Sequence, residues 1–173
     1  MSKQERLLYI FVAISSVIFI LEGYIPRPLP WIKLGLSNVI TLLLVYYFPF
    51  TFVIKVVLFR VLIGSIFAGT FLTPSFFLSL GGGISSAIIM SILKKFCGKI
   101  FSPLGISILG AESHIFTQLF IVYFFIIKDK DIFNISSFLM IFALITGAII
   151  GYIGGKVIKN FEEFYNSYFS SSI

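Results

Sequence analysis

Long unbroken apolar runs, separated by short polar or proline-bearing breaks, divide the chain. Val39-Ile40-Thr41-Leu42-Leu43-Leu44-Val45 is representative. Such runs lack the period-two alternation of a transmembrane β-barrel strand. They predict helices over residues 6–23, 33–48, 51–69, 76–93, 104–127 and 136–158. The breaks carry turn chemistry: Pro26, Pro28 and Pro30, then Pro49, Thr73-Pro74, Ser102-Pro103 and Asn134-Ile135-Ser136. The break at Pro49 is so short that the second and third helices must be antiparallel neighbours. The first run follows Lys3, Glu5 and Arg6 and continues from Leu7 to Leu21 with no small-residue cleavage site after it, so it reads as a retained helix.

Composition turns these helices into membrane spans. The 173 residues are 58% hydrophobic and 12% charged, against about 25% charged in a soluble domain. Too little polar surface is available to cover a water-facing exterior. The expected fold is an all-α membrane protein, a bundle of about six transmembrane helices. It forms a single domain over residues 1–160, with a tail over 161–173 that is interfacial or disordered.

The net charge of +6 is unevenly distributed. Lys3, Arg6, Lys94, Lys95, Lys99, Lys156 and Lys159 fall on one side of the bundle. Arg27, Lys33, Lys128 and Lys130 fall on the other, the last two interleaved with Asp129 and Asp131. The positive-inside rule then predicts a multi-pass protein of the inner (cytoplasmic) cell membrane with both termini in the cytoplasm. The basic residues meet lipid headgroups and imply no nucleic acid. Cys97 is the single cysteine, so no internal disulfide forms.

Polar side chains inside the spans need a reason, because a charge at mid-bilayer costs about 2.5–3.5 kcal/mol. Lys55, Arg60, Glu112, His114, Asn38 and Gln118 are such residues. At 1.5 Å per residue, Arg60 lies about 14 Å from the cytoplasmic end of its helix, Glu112 about 12 Å, and His114 and Asn38 about 15 Å. Equal depth and opposite charge predict a structural ion pair between Arg60 and Glu112. Lys55 is shallow enough to snorkel. His114 and Gln118, four residues apart, share a helix face that Glu112 does not.

The loop Glu22-Gly23-Tyr24-Ile25-Pro26-Arg27-Pro28-Leu29-Pro30-Trp31 is stiffened by alternate prolines and places Arg27 and Trp31 at the outer mouth. Arg27, Trp31, Asn38, Arg60, His114 and Gln118 are therefore the expected substrate-binding residues. On the last helix, Gly147, Gly151 and Gly155 recur every four residues after Ala143 and form a smooth stripe for helix packing.

Chemistry is otherwise sparse. The chain has no phosphate-binding loop, no HExxH or Cys/His metal cluster and no paired aspartates of the kind a prenyl-diphosphate synthase uses. It is not expected to be an enzyme or to carry a metal or cofactor.

Several segments resemble the Gx transporter family, also labelled heptaprenyl diphosphate synthase component I. They are Pro26-Arg27-Pro28-Leu29-Pro30-Trp31 with Lys33-Leu34-Gly35-Leu36-Ser37-Asn38, then Arg60 with Gly64 and Gly69-Thr70-Phe71 with Pro74-Ser75-Phe76. Ser107-Ile108-Leu109-Gly110-Ala111 followed by His114 and Gln118 completes the set. The resemblance implies a fold like the S-components of energy-coupling-factor transporters. These bind vitamin-like or cofactor-like small solutes for uptake and borrow an ATPase and a transmembrane coupling subunit. S-components dock through a repeat of small residues on helix 1, which Val17 interrupts here. The family label implies an alternative: a non-catalytic membrane subunit linked to quinone or isoprenoid metabolism, or to flavin-linked electron transfer beside a flavin-carrying partner.

Overall fold

The computed structural model describes residues 2–25, 35–128 and 134–170. These form six helices: α1 (Lys3–Glu22), α2 (Asn38–Tyr47), α3 (Phe50–Phe67), α4 (Pro74–Cys97), α5 (Pro103–Val122) and α6 (Ser136–Ser170). No strand occurs among the described residues. Five helices are long and apolar enough to cross a membrane, so the chain is a multi-pass membrane protein with the all-α, six-helix fold that its apolar runs predict.

Local chemistry sets the helix ends. Ser2 and Glu5 form a capping box at the start of α1. Pro49 precedes α3, and Pro74 and Pro103 occupy the first positions of α4 and α5, where the missing N–H costs nothing. At the end of α3, Gly69 turns left-handed at φ +66. The Thr70 N–H then reaches back to the Ser65 carbonyl at 2.9 Å, which closes the helix. A π-helical turn over Tyr123–Ile127 extends α5 and stops at Lys128, which has φ 53.

Two helices differ from the sequence expectation. α2 begins at Asn38, five residues later than the apolar run suggests, and spans only 10 residues. That is about 15 Å, half the thickness of a bilayer core. α6 continues beyond residue 158 to Ser170, 35 residues in all. Residues 161–170 of the tail thus extend the last helix. Phe161 and Tyr165 pack their rings on Tyr47 at 5.2 and 5.0 Å, and the Tyr47 hydroxyl donates to the Ile158 carbonyl at 2.8 Å.

α1 also passes the α2–α3 hairpin. Its Phe11, not its first turn, meets Phe48 at 5.7 Å and Phe161 at 5.8 Å. Lys3 Nζ donates to the Tyr168 carbonyl at 2.8 Å. Near this hairpin Lys94 stands 4.1 Å over the Tyr46 ring, marking the basic end of the bundle.

α5 packs most extensively, against α4 on one side and α6 on the other, while α1 lies on α3 and α2 is covered by α3, α4 and α6. The α5–α6 seam is close because α6 presents glycine. A Cβ at Gly147 would stand 2.8 Å from the Ile108 Cα, and one at Gly151 would stand 2.6 Å from the Leu104 Cα. A Cβ at Gly155 would meet only Pro103, at 3.8 Å. Ser107 Oγ donates across the seam to the Gly147 carbonyl at 2.8 Å. Across the α4–α5 seam, Ser85, Ser113 and Thr117 form a hydroxyl chain with spacings of 2.7 and 2.8 Å.

Candidate functional site

The late start of α2 creates the site. Gly35 takes φ +74, which an L side chain rarely adopts. Its N–H donates to Glu22 Oε1 at 2.6 Å. The last residue of α1 is thereby tied to the turn that opens α2. Glu22 is 1% exposed, because α1 starts beyond the hairpin and so ends within the bundle.

Arg60 of α3 closes the cluster and is 2% exposed. Its Nη1 donates to the Ser37 carbonyl at 2.7 Å and to Thr41 Oγ1 at 3.0 Å. Its Nη2 donates to Asn38 Oδ1 at 3.0 Å. All three acceptors belong to the first turns of α2. The Glu22 carboxylate acts electrostatically on the guanidinium. Arg60 Nε, also buried, has no hydrogen-bond partner among the described residues. A guanidinium has five N–H donors in a planar fork. Three are used, which leaves the Nε N–H and one Nη2 N–H, donors of the kind that bind a carboxylate or phosphate.

Equal depth does not make Arg60 and Glu112 partners. The ion pair expected between them is not formed. Arg60 donates to α2 instead, and α4 packs between α3 and α5. Glu112 lies on a half-exposed face of α5, and Lys55 is exposed on α3.

His114 and Gln118 are buried together on α5. Gln118 Nε2 lies 3.0 Å from His114 Nε2 and 3.5 Å from the Leu78 carbonyl. With the amide nitrogen donating, His114 Nε2 accepts. Gln118 Oε1 is buried and lacks a hydrogen-bond partner among the described residues.

The glycine triplet of α4 separates the two clusters. A Cβ at Gly82 would stand 2.9 Å from the His114 ring, and one at Gly83 would stand 3.3 Å from Arg60 Nη2. Consecutive residues of one helix therefore touch both clusters, which lie in one layer with a single glycine-thin helix between them. The expected residues Asn38 and Arg60 are brought together by hydrogen bonds, as are His114 and Gln118. Arg27 and Trp31 lie outside the described residues. Sequence reasoning left out Glu22, Ser37 and Thr41. The signal available for Glu22 was an acidic residue closing an apolar run while a buried arginine still needed compensation.

Gly35→Ala tests the turn. The forced left-handed geometry costs about 1–2 kcal/mol, and the new Cβ would sit 2.9 Å from Asn38 Nδ2. Unfolding of the detergent-solubilised protein should show that loss.

The family model of heptaprenyl diphosphate synthase component I matches residues 11–157. The chain belongs to that family. The match spans α1 from Phe11 through most of α6, so both polar clusters fall within the family's shared region. The chain matches no curated protein and no solved structure.

Proposed function

We infer that the chain is a membrane binding subunit that holds a small solute through an oxyanion, in an uptake system energised by partner subunits. The carrying observation is Arg60. It is buried about 15 Å along α3, hydrogen-bonded to the start of a half-length helix, and its Nε lacks a partner. A helix that begins inside the bundle turns its positive end toward the interior, and discontinuous helices of this kind form anion sites in transporters. Glu22 limits the excess positive charge, so the site is primed for an anion without being strongly cationic when empty. The basic end faces the cytoplasm under the positive-inside rule.

The test is native mass spectrometry of the protein purified in mild detergent. A retained anionic metabolite, lost in Arg60→Lys while the fold persists, is expected. An empty wild-type protein showing no stabilisation by any member of a carboxylate and phosphate metabolite panel would sink the reading.

The family description favours a second reading, a non-catalytic component of a prenyl-diphosphate synthase acting with another subunit. A groove of about 700 Å³ beside α4, lined by Leu72, Phe77, Leu78, Ile84, Ile121 and Phe125, has the apolar character an isoprenoid chain requires. Affinity purification from native membrane separates the two. A prenyltransferase subunit in the eluate supports the second reading, and an ATPase with a coupling subunit supports the first.

A further inference from the structure

Two charges on the outside of the bundle have no part in the site. Glu112 is half-exposed on α5 and Lys55 is exposed on α3, both within apolar spans. Neither makes a hydrogen bond or ion pair among the described residues. Each interrupts a lipid-facing apolar stripe. Glu112 sits between the exposed Leu109 and Phe116, and Lys55 is followed one turn later by the exposed Phe59. A carboxylate turned toward hydrocarbon is unfavourable unless something of opposite charge covers it.

The same molecule carries the complement at a compatible depth. Arg60 and His114 share a layer, because Gly83 and Gly82 touch them. Lys55 lies five residues before Arg60, about 7.5 Å nearer the basic end, and Glu112 lies two residues before His114, about 3 Å nearer. The remaining difference is within the reach of the four-carbon lysine stem. α3 and α5 both run away from the basic end, so copies inserted with one orientation present these helices parallel to each other. Ile108 and Ala111, which flank Glu112, touch α6, whereas α3 lies beyond α4. The two charges thus occupy different faces.

We propose that copies of this chain associate side by side in the membrane, Lys55 of one copy pairing with Glu112 of the next. Different faces make the contact heterologous, head to tail in the plane of the membrane. The occupant is a second copy because the second copy brings the lysine.

Charge reversal on differently tagged, co-expressed copies tests this. Glu112→Lys copies alone, or Lys55→Glu copies alone, place like charges together and should lower mutual pull-down about tenfold. Co-expression of a Glu112→Lys copy with a Lys55→Glu copy restores opposite charges at every contact between unlike copies and should recover the wild-type pull-down of one by the other. A folding defect in either variant would not be mended by the other, so rescue is specific to pairing. Circular dichroism of each purified variant checks the fold. Wild-type copies that do not pull each other down, reversals without effect, or mixed copies that pair no better than the single variants would each overturn the proposal. So would capture of a different membrane protein whose binding requires Glu112 while copies stay apart.

Discussion

Arg60→Leu should abolish ligand retention and destabilise the bundle by about 3–5 kcal/mol, the usual consequence of removing one partner from a buried charged network. The substitution leaves the Ser37 carbonyl, Asn38 Oδ1 and Thr41 Oγ1 without their donor. It also removes the positive charge with which the buried Glu22 interacts electrostatically. Arg60→Lys separates the two effects. It keeps the charge, and so most of the stability, but a single ammonium cannot serve three acceptors and also present two further donors. Affinity for the solute should fall by about 2–5 kcal/mol, at least about thirtyfold in Kd. Thr41→Val, which removes only one acceptor, should cost about 1 kcal/mol in stability. Denaturant titration in detergent and a ligand-dependent thermal shift read the two quantities independently. Unchanged ligand stabilisation in a folded Arg60→Lys protein would remove the two remaining donors from the mechanism.

The second large effect lies in the α5–α6 seam. Gly151→Leu should separate the helices and break the Ser107–Gly147 hydrogen bond, because the obstacle at Gly151 is the backbone of Leu104 and not a side chain that can rotate away. Even Gly151→Ala should cost about 1–3 kcal/mol by overpacking. Gly155→Ala is the internal control. Its Cβ would find Pro103 at an ordinary 3.8 Å, so stability should stay within about 0.5 kcal/mol. Equal gains at both positions would mean that helix propensity, not close approach, governs this stripe.

The helices were legible because apolar runs and proline breaks are local signals. The half-length of α2 was not. Apolar residues continue back through Leu36 and Leu34, and the helix starts late because Gly35 turns left-handed against the carboxylate of a different helix. Depth along a helix can be counted from sequence, but azimuth and neighbour order cannot. That is why Arg60 and Glu112 matched on paper while α4 lies between them. The proline-rich segment draws Glu22 into the outer loop on the sequence, whereas it is the buried last residue of α1. The α4 glycine triplet carries no local signal of its place in the bundle. Its role as the thin wall between two polar clusters exists only in the packed bundle.

The clasp between the first and last helices also constrains how the protein is made. The hydrogen-bond partners of Arg60 among the described residues, with Glu22 and Gly83, have been synthesised before α5 begins, so that cluster can assemble early. The hairpin residues Tyr47 and Phe48 must wait for Phe161 and Tyr165. At about 5–20 residues per second the wait is roughly 6–23 s. Until α6 arrives, the aromatic hairpin, the side of α2 that α6 covers and the α5 face that receives α6 stay open. The nascent bundle thus acquires its binding chemistry before its mechanical closure, and a ribosome stalled within α6 would leave a charged cluster formed on an unlatched scaffold.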